Sequence, residues 1–129
     1  MPTEYTIELR EDREIIIAKA SGEWESQTDN MMNREIMQMI GVSGTRKVLV
    51  DIRDLHFDLP IIQIFERARD LRDQRLAQPT TSTKVAIVYP AANPKIEEDF
   101  KFFETVVRNR GLPYRAFKDM EDAMEWLTE

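Results

Sequence analysis

Two short apolar runs, KVLVDI at 47–52 and KVAIVYP at 84–90, constrain the fold of this chain more than any other feature. Both are rich in β-branched residues and lack the polar alternation of a strand with one wet face, so each predicts a strand covered on both faces. Helix-length segments separate and follow these two strands. Because strands that alternate with helices need crossover connections, the sheet is expected to be mostly parallel, with helices packed on it.

The N-terminal segment predicts a β-hairpin that makes this sheet mixed. YTIELR at 5–10 alternates apolar and polar residues, which is typical of a strand with one wet face. EIIIAKAS at 14–21 predicts a second strand, and the polar EDR between them predicts a tight connection. We expect Gly22 to end this second strand.

Four later segments carry helical patterns. The first lies near 28–40, where Asp29 or Ser26 could cap the start and where Gly41 and Gly44 are expected to stop it. Its inward face comprises Met32, Ile36 and Met39 or Ile40, which leaves Met31 and Met37 outside the core. The second runs from about 59 to 75. Its arginines alternate with acids, as on a solvated helix.

The third and fourth helices have the clearest end signals. In NPKIEEDFKFFETVVRNRG at 93–111, Asn93 can cap the helix, Pro94 suits the first helical position, and Gly111 suits a left-handed terminator. Its predicted inward residues are Ile96, Phe100, Phe103 and Val107. YRAF at 114–117 predicts a last strand, and Asp119 should cap a final helix containing Ala123, Trp126 and Leu127.

The predicted order is therefore β-β-α-β-α-β-α-β-α, a single α/β domain over residues 1–129. The expected architecture is a mixed, mostly parallel five-stranded sheet with about four helices. At 129 residues the chain has a common length for one domain.

Composition removes several function classes. A formal net charge of −6 disfavours nucleic-acid binding and anionic membranes. With no cysteine and one histidine, the chain cannot form a disulfide, use a thiolate nucleophile or build a histidine-rich metal site. No cofactor is implied. The N-terminus lacks the pattern of a signal peptide and no apolar run is long enough to span a membrane, so we expect a cytoplasmic protein.

The element order, with KVLVDIRDLHF in the middle and FKDMEDAMEWL at the end, resembles the STAS-type domains of bacterial anti-sigma-factor antagonists. It looks most like the small SpoIIAA-like proteins, which are related in fold to CRAL-TRIO lipid-transfer domains. The resemblance covers nearly the whole chain and implies a mixed five-stranded sheet that serves protein–protein contact. In the regulated antagonists, a serine at the start of the helix after the third strand is phosphorylated. Here Pro60 lies at that place and no hydroxyl is near it, so we expect no phosphoserine switch of this kind.

Two loops define the expected site. In a parallel sheet, RDLHFD at 53–58 and YPAAN at 89–93 would both follow the carboxyl ends of strands, where crevices for ligands form. The candidate ligand or partner surface comprises Arg53, Asp54, His56, Phe57, Asp58, Tyr89 and Asn93.

Catalytic and metal interpretations of this region are weaker than structural ones. Asp58 is better explained as a helix cap than as a catalytic acid. Asp51, Asp54 and Asp58 could form a divalent-cation site, but Arg53 lies among them and the chain has 24 acidic residues. His56 has no serine or cysteine nucleophile beside it in sequence. We therefore predict no catalytic residue and no metal ligand.

Two functions remain open from the sequence. The leading one is a non-enzymatic regulatory module that binds a protein partner. The alternative, from the lipid-transfer side of the resemblance, is a carrier of a small hydrophobic ligand with Phe102, Phe103 and Trp126 lining a cavity. The sequence also offers two surfaces for a homodimer, an edge strand and the methionine-bearing first helix.

Overall fold

The computed structural model describes residues 2–12, 14–56, 83–90, 94–109 and 113–129. The strands are β1 (Glu4–Arg10), β2 (Ile15–Glu23), β3 (Lys47–His56), β4 (Lys84–Val88) and β5 (Tyr114–Phe117). The described helices are α1 (Ser26–Ser43), α2 (Pro94–Asn109) and α3 (Met120–Thr128). The predicted helix at 59–75 lies outside the described residues. None of the described helices is long and apolar enough to cross a membrane.

The five strands form one sheet in the order β1-β2-β3-β4-β5, which is also their order along the chain. β1 is antiparallel to β2, and each later neighbour pair is parallel. The predicted mixed sheet with an N-terminal hairpin is therefore confirmed. β3 lies at the centre, so its side chains meet neighbours from β2 on one side and from β4 on the other.

Each face of the sheet has its own apolar core. On one face, α1 and α2 cover residues such as Ile16, Val48 and Ile87. On the other face, α3 covers Leu49 and Val88 through its own Ala123 and Leu127. Successive strand residues alternate between these two cores because side chains along a strand point to opposite faces.

The methionine-bearing helix α1 packs as its spacing predicts. Met32 and Ile36 are buried, and Met39 packs partly buried against the core under α1 and α2. Met31 is 49% exposed, whereas Met37 is half-buried. The helix therefore directs one apolar stripe inward and leaves Met31 at the surface.

Helix ends correct two sequence expectations. α1 continues through Gly41 and ends at Gly44, which has a left-handed φ of 74° and donates its N–H to the Ile40 oxygen at 2.8 Å. Only Gly44 needs this backbone conformation, so only Gly44 terminates the helix. Glu25 occupies the N-cap position and makes no side-chain cap bond, so neither predicted cap is used there. The predicted cap at Asp119 is confirmed, since its carboxylate accepts the Asp122 N–H at 2.9 Å.

Candidate functional site

The central strand β3 is longer than its sequence suggests. It runs to His56, whereas its neighbour β4 ends at Val88, opposite Asp51. Beyond that point β3 stays paired with β2, which continues through Gly22 to Glu23, opposite His56. The expectation that a loop begins at Arg53 and that Gly22 ends β2 is therefore wrong. The polar residues of this segment lie on a strand because β2 supplies their backbone partners.

A β-bulge divides β3 at this extension. Lys19 of β2 pairs with Asp51, but Ser21 pairs with Asp54, so two steps along β2 match three along β3. The extra residue shifts the alternation of side chains in the rest of β3. Leu55 consequently points into the core under α1, where it is buried.

The bulge brings polar side chains of β3 to one face. Lys19, Ser21 and Glu23 alternate on β2 and so share the face on which α3 packs. Because paired residues of neighbouring strands point to the same side, Asp51, Asp54 and His56 share that face too. Bulges re-aim side chains in this way, often next to functional sites.

A bidentate ion pair fixes the side chain of Arg53 at the bulge. Its Nε donates to Asp51 Oδ1 and its Nη2 donates to Asp51 Oδ2, both at 2.9 Å. The backbone N–H of Arg53 also donates to Asp51 Oδ1, at 3.2 Å. The Asp51 side chain is 5% exposed, but that of Arg53 is 46% exposed. The carboxylate is therefore a buried anchor for a guanidinium that still reaches solvent.

The protonation state of Asp51 follows from these contacts. Burial raises its pKa, but the side-chain and backbone hydrogen bonds of Arg53, with the positive charges of Arg53 and Lys19, outweigh burial and hold the pKa below its usual value of 3.8. The Asp51 carboxylate in turn raises the pKa of Arg53. Both groups are thus charged at neutral pH, and the pair is an ion pair rather than a neutral hydrogen bond.

Arg53, Asp54 and His56 form an exposed group that we call the β3 patch. All three side chains lie at the end of β3 beyond the last residue that pairs with β4. Exposed Lys19 and Glu23 of β2 flank it. The patch mixes both charges with an imidazole, and such a surface suits hydrogen bonds and ion pairs with a polar partner surface.

Tyr89 does not belong to the β3 patch, although the sequence placed both at one crevice. The ring of Tyr89 stacks on Phe100 of α2 with centroids 5.4 Å apart, and its hydroxyl contacts Glu97 Oε1 at 3.4 Å. Since α2 packs on the opposite face of the sheet from α3, Tyr89 and the patch face different sides. Burial, followed by the negative charge and hydrogen bond of Glu97, raises the pKa of Tyr89 to about 12.

The remaining site predictions lie outside the described residues. These are Phe57, Asp58 and Asn93, together with Pro60 at the position of the expected family serine. Among the described residues, no group of three or more His, Asp or Glu side chains could hold a metal ion. Asp51, considered and rejected above as a metal ligand, is bound to Arg53.

Serine chemistry also fails a geometric requirement in the described part of the chain. Ser21 lies on β2 opposite Asp54, and His56 lies two residues further along β3, opposite Glu23. No hydrogen bond within the described residues joins the Ser21 hydroxyl to His56, whereas an activated nucleophile needs such a contact with its base. The patch as built offers charged and polar contacts and no assembled nucleophile.

Comparison with known proteins bears on the fold. No family model matches the chain, and no curated protein matches it either. Several solved structures do match the chain. An anti-sigma factor antagonist from Mycobacterium paratuberculosis is similar over 99% of this chain and 96% of its own, with a TM-score of 0.61 and 9% identity.

Two further solved structures are also similar to this chain. An uncharacterised protein with a SpoIIAA-like fold from Shewanella loihica matches 97% of this chain and 93% of its own, with a TM-score of 0.54 and 22% identity. The anti-sigma factor antagonist SpoIIAA in its unphosphorylated form matches 95% of both chains, with a TM-score of 0.56 and 14% identity. This chain has the SpoIIAA-like fold. The fold inferred from the sequence resemblance is thereby confirmed.

Sequence reasoning named Arg53, Asp54 and His56 but missed the features that organise them. It did not pair Asp51 with Arg53, and it placed the bulge region in a loop. One signal was present, since residues two apart on a strand lie near each other on one face. The bulge itself depends on pairing with β2 and leaves no mark in the local sequence.

Proposed function

We propose that this SpoIIAA-like chain is a non-enzymatic regulatory module that binds a protein partner through the β3 patch. Two of the similar structures are named as anti-sigma factor antagonists, proteins whose action depends on contact with another protein. That likeness supports a regulatory, protein-binding role. The patch supplies a location for the contact, at the carboxyl end of the central strand.

The observation that carries this proposal is the geometry of Arg53. Its guanidinium is bound to the buried Asp51 carboxylate, and the Arg53 side chain is still 46% exposed. A side chain fixed before binding loses little conformational entropy when a partner docks. Arginine is also among the residues that dominate binding energy at protein interfaces. A fixed, exposed arginine beside Asp54 and His56 is therefore suited to protein recognition.

The proposal includes an absence of phosphoserine control at the usual helix start. Proline at position 60 has no hydroxyl to accept phosphate. Regulation in this chain would then act through the amount of the protein or of its partner, rather than through a charge added by a kinase.

The carrier alternative is not proposed. Its suggested cavity residues lie on the two sides of the sheet, since Phe102 and Phe103 pack with the core under α1 and α2 and Trp126 packs with the core under α3. Side chains separated by a sheet cannot line one cavity.

The test is a comparative capture experiment. Tagged wild-type protein, the Arg53→Glu/His56→Ala double variant and a Lys95→Glu control are used as bait in lysate of the source cells, and retained proteins are quantified by mass spectrometry. Lys95 is exposed on α2, away from the patch. We expect a partner retained by the wild type and the control and reduced about tenfold with the double variant, as loss of an arginine contact predicts. Equal retention by all three baits, or no retained partner, would exclude the proposal. Thermal unfolding of each bait confirms that the variants are folded.

A further inference from the structure

The two outer strands of the sheet, β5 and β1, differ in how their free backbone groups are covered. An outer strand has unpaired N–H and C=O groups along one side, and these can pair with a strand of another chain. Proteins block such an edge with side chains or with another element, or they use it for assembly.

The β5 edge is blocked by α2. Lys101 Nζ donates to the Ala116 oxygen at 2.9 Å, and the Ala116 N–H donates to Glu104 Oε2 at 2.9 Å. The carbonyls of Pro113 and Phe117 point towards β4, where they accept the N–H groups of Val85 and of Tyr89, the residue that follows β4. The N–H and C=O of Ala116 point away from β4, and both are therefore bonded to side chains from one turn of α2.

Among the described residues, nothing covers the β1 edge as α2 covers that of β5. Within the described part of the chain, the backbone of Glu4–Arg10 is paired with β2 alone, and no side chain bonds to it. Tyr5, Ile7 and Leu9 pack against the core on the side of α1. The alternate residues, which are exposed, are Glu4, Thr6, Glu8 and Arg10.

The order of charges on this exposed side is complementary to itself. An antiparallel pair of identical strands related by a two-fold axis through Ile7 places Ile7 opposite Ile7 of the second copy. Glu4 then lies opposite Arg10 of the second copy, and Thr6 opposite Glu8. Both arginines thus meet a glutamate, and no like charges lie directly opposite each other. Opposite charges across such a pair stabilise it, and like charges destabilise it.

Neighbouring registers lack this complementarity. Side chains alternate between the two faces of a strand, so the pairing can shift only by two residues if the apolar side chains of both copies are to stay on the same face. Each such shift moves the two-fold axis by one residue. An axis through Thr6 places Glu4 opposite Glu8 of the second copy. An axis through Glu8 places Glu8 opposite itself. The charges therefore favour the register centred on Ile7.

We propose that this chain forms a homodimer by antiparallel pairing of β1 with β1 of a second copy, centred on Ile7. The two sheets become continuous, and the apolar face of Tyr5, Ile7 and Leu9 continues from one copy into the other. Since α1 lies over β1 and β2, the two copies of α1 come to lie beside each other. The β3 patch is separated from this edge by β2, so it remains accessible in the dimer. The proposal does not depend on the function proposed above.

Charge reversal tests both the dimer and its register. Dissociation constants are measured by sedimentation equilibrium at low ionic strength, where exposed ion pairs are least screened. The variants are Glu4→Arg, Arg10→Glu and the two combined, with Glu98→Arg on α2 as a control for charge reversal at an exposed site. Each single reversal places like charges opposite each other at two symmetric positions. We expect it to raise the dissociation constant about tenfold, and the combined reversal to return it to within about threefold of wild type.

Cysteine cross-linking gives an independent measurement of register. The chain has no native cysteine, so Thr6→Cys and Glu8→Cys each introduce a single thiol. In the proposed register these positions lie opposite each other in different copies, at a Cα separation of about 5 Å, which is within the range of disulfides. An equimolar mixture of the two variants should therefore oxidise to a covalent dimer faster than either variant alone.

Each outcome decides the proposal. A wild-type chain that sediments as a monomer at its highest soluble concentration would overturn it, and β1 would then be free for a strand of a different protein. A dimer that is unchanged by the single reversals would place the contact elsewhere. Dimerisation restored in the combined variant, together with faster cross-linking in the mixture, would establish the β1 pairing.

Discussion

The carboxylates of Asp51 on β3, which is buried, and of Glu104 on α2, which is partly buried, are bound in similar ways and serve different purposes. Their side chains are 5% and 13% exposed. Each accepts a backbone N–H, from Arg53 at 3.2 Å and from Ala116 at 2.9 Å respectively. Each also faces basic side chains, which offset the cost of burying a negative charge.

The difference lies in what each carboxylate joins. The partners of Asp51 come from Arg53, two residues further along the same strand. Glu104 instead joins two elements: Lys101 and Arg108 lie on its own helix, and Arg115 and Ala116 lie on the edge strand β5. A contact between two elements holds them together and so stabilises the tertiary structure. A contact between residues of one strand mainly fixes the orientation of a side chain. Glu104 should therefore matter more for stability and Asp51 more for the β3 patch.

The largest effect on stability is expected for Glu104→Ala. The substitution removes the acceptor of the Ala116 N–H and the shared partner of three basic side chains. We expect the free energy of unfolding to fall by about 2 kcal/mol, the range for a hydrogen bond to a charged group. Urea unfolding monitored by circular dichroism measures this loss.

Two matched variants sharpen that prediction. Glu98→Ala removes an exposed carboxylate from the same helix and should cost less than about 0.5 kcal/mol. Glu104→Gln keeps an acceptor for the Ala116 N–H without the charge. Its loss of unfolding free energy should lie between those of Glu98→Ala and Glu104→Ala. If Glu104→Ala is no more harmful than Glu98→Ala, Glu104 does not hold β5 in place.

The contrast between these carboxylates also marks what the sequence could predict. Alternation or short β-branched apolar runs located all five strands, and capping signals located the start of α3 at Asp119. Those features depend on residues that are close in sequence. The role of Glu104 could not be predicted, because its burial depends on α2 lying against β5, whose Ala116 is 12 residues further along the chain.

The candidate site was predicted in part for the same reason. Arg53, Asp54 and His56 were selected as polar residues after an apolar strand, and all three are exposed near one another. Their assignment to a loop was wrong, because a run of charged residues has the same composition in a loop and on a strand whose pairing comes from elsewhere. Tyr89 was grouped with them because it also follows a strand, but the side to which its ring points depends on the register of β4.

A smaller loss of stability is expected for Asp51→Asn. An amide has the same shape as the carboxylate but no charge, so the bidentate pair with Arg53 is weakened. Arg53 is half-exposed and can be solvated, which limits the cost to about 1 kcal/mol at neutral pH. Urea unfolding at pH 7 should rank Asp51→Asn below Glu104→Ala. The reverse order would mean that the bulge, rather than the β5 edge, is the more important of the two for the fold.

The stability that Asp51 contributes should disappear in acid. Its pKa is lower in the folded chain than the usual value, so the contribution is complete above the unfolded pKa and is lost as the pH falls through the lower, folded one. We expect the difference in unfolding free energy between wild type and Asp51→Asn to be constant above about pH 5 and to shrink below about pH 4. In an Arg53→Gln background this pH dependence should vanish or change sign, because burial then raises the pKa of Asp51 without the charge of Arg53 to offset it. A difference that grows in acid would contradict the assigned direction of the pKa shift.

The smallest effect on stability, and the sharpest test of the contrast, is expected for Arg53→Gln. The glutamine amide nitrogen is attached to Cδ, as Nε is in arginine, so it can still donate to the Asp51 carboxylate, which also keeps the backbone N–H of residue 53. The unfolding free energy should therefore change by less than about 1 kcal/mol. Binding of a captured partner should nevertheless weaken about tenfold, because the fixed guanidinium is what the patch presents. Arg108→Gln on α2 is the matched control, since it removes an arginine that contacts Glu104 at 3.7 Å and lies away from the patch. Titration calorimetry with the purified partner separates the two variants, and equal affinities would show that Arg53 orders its own strand without taking part in recognition.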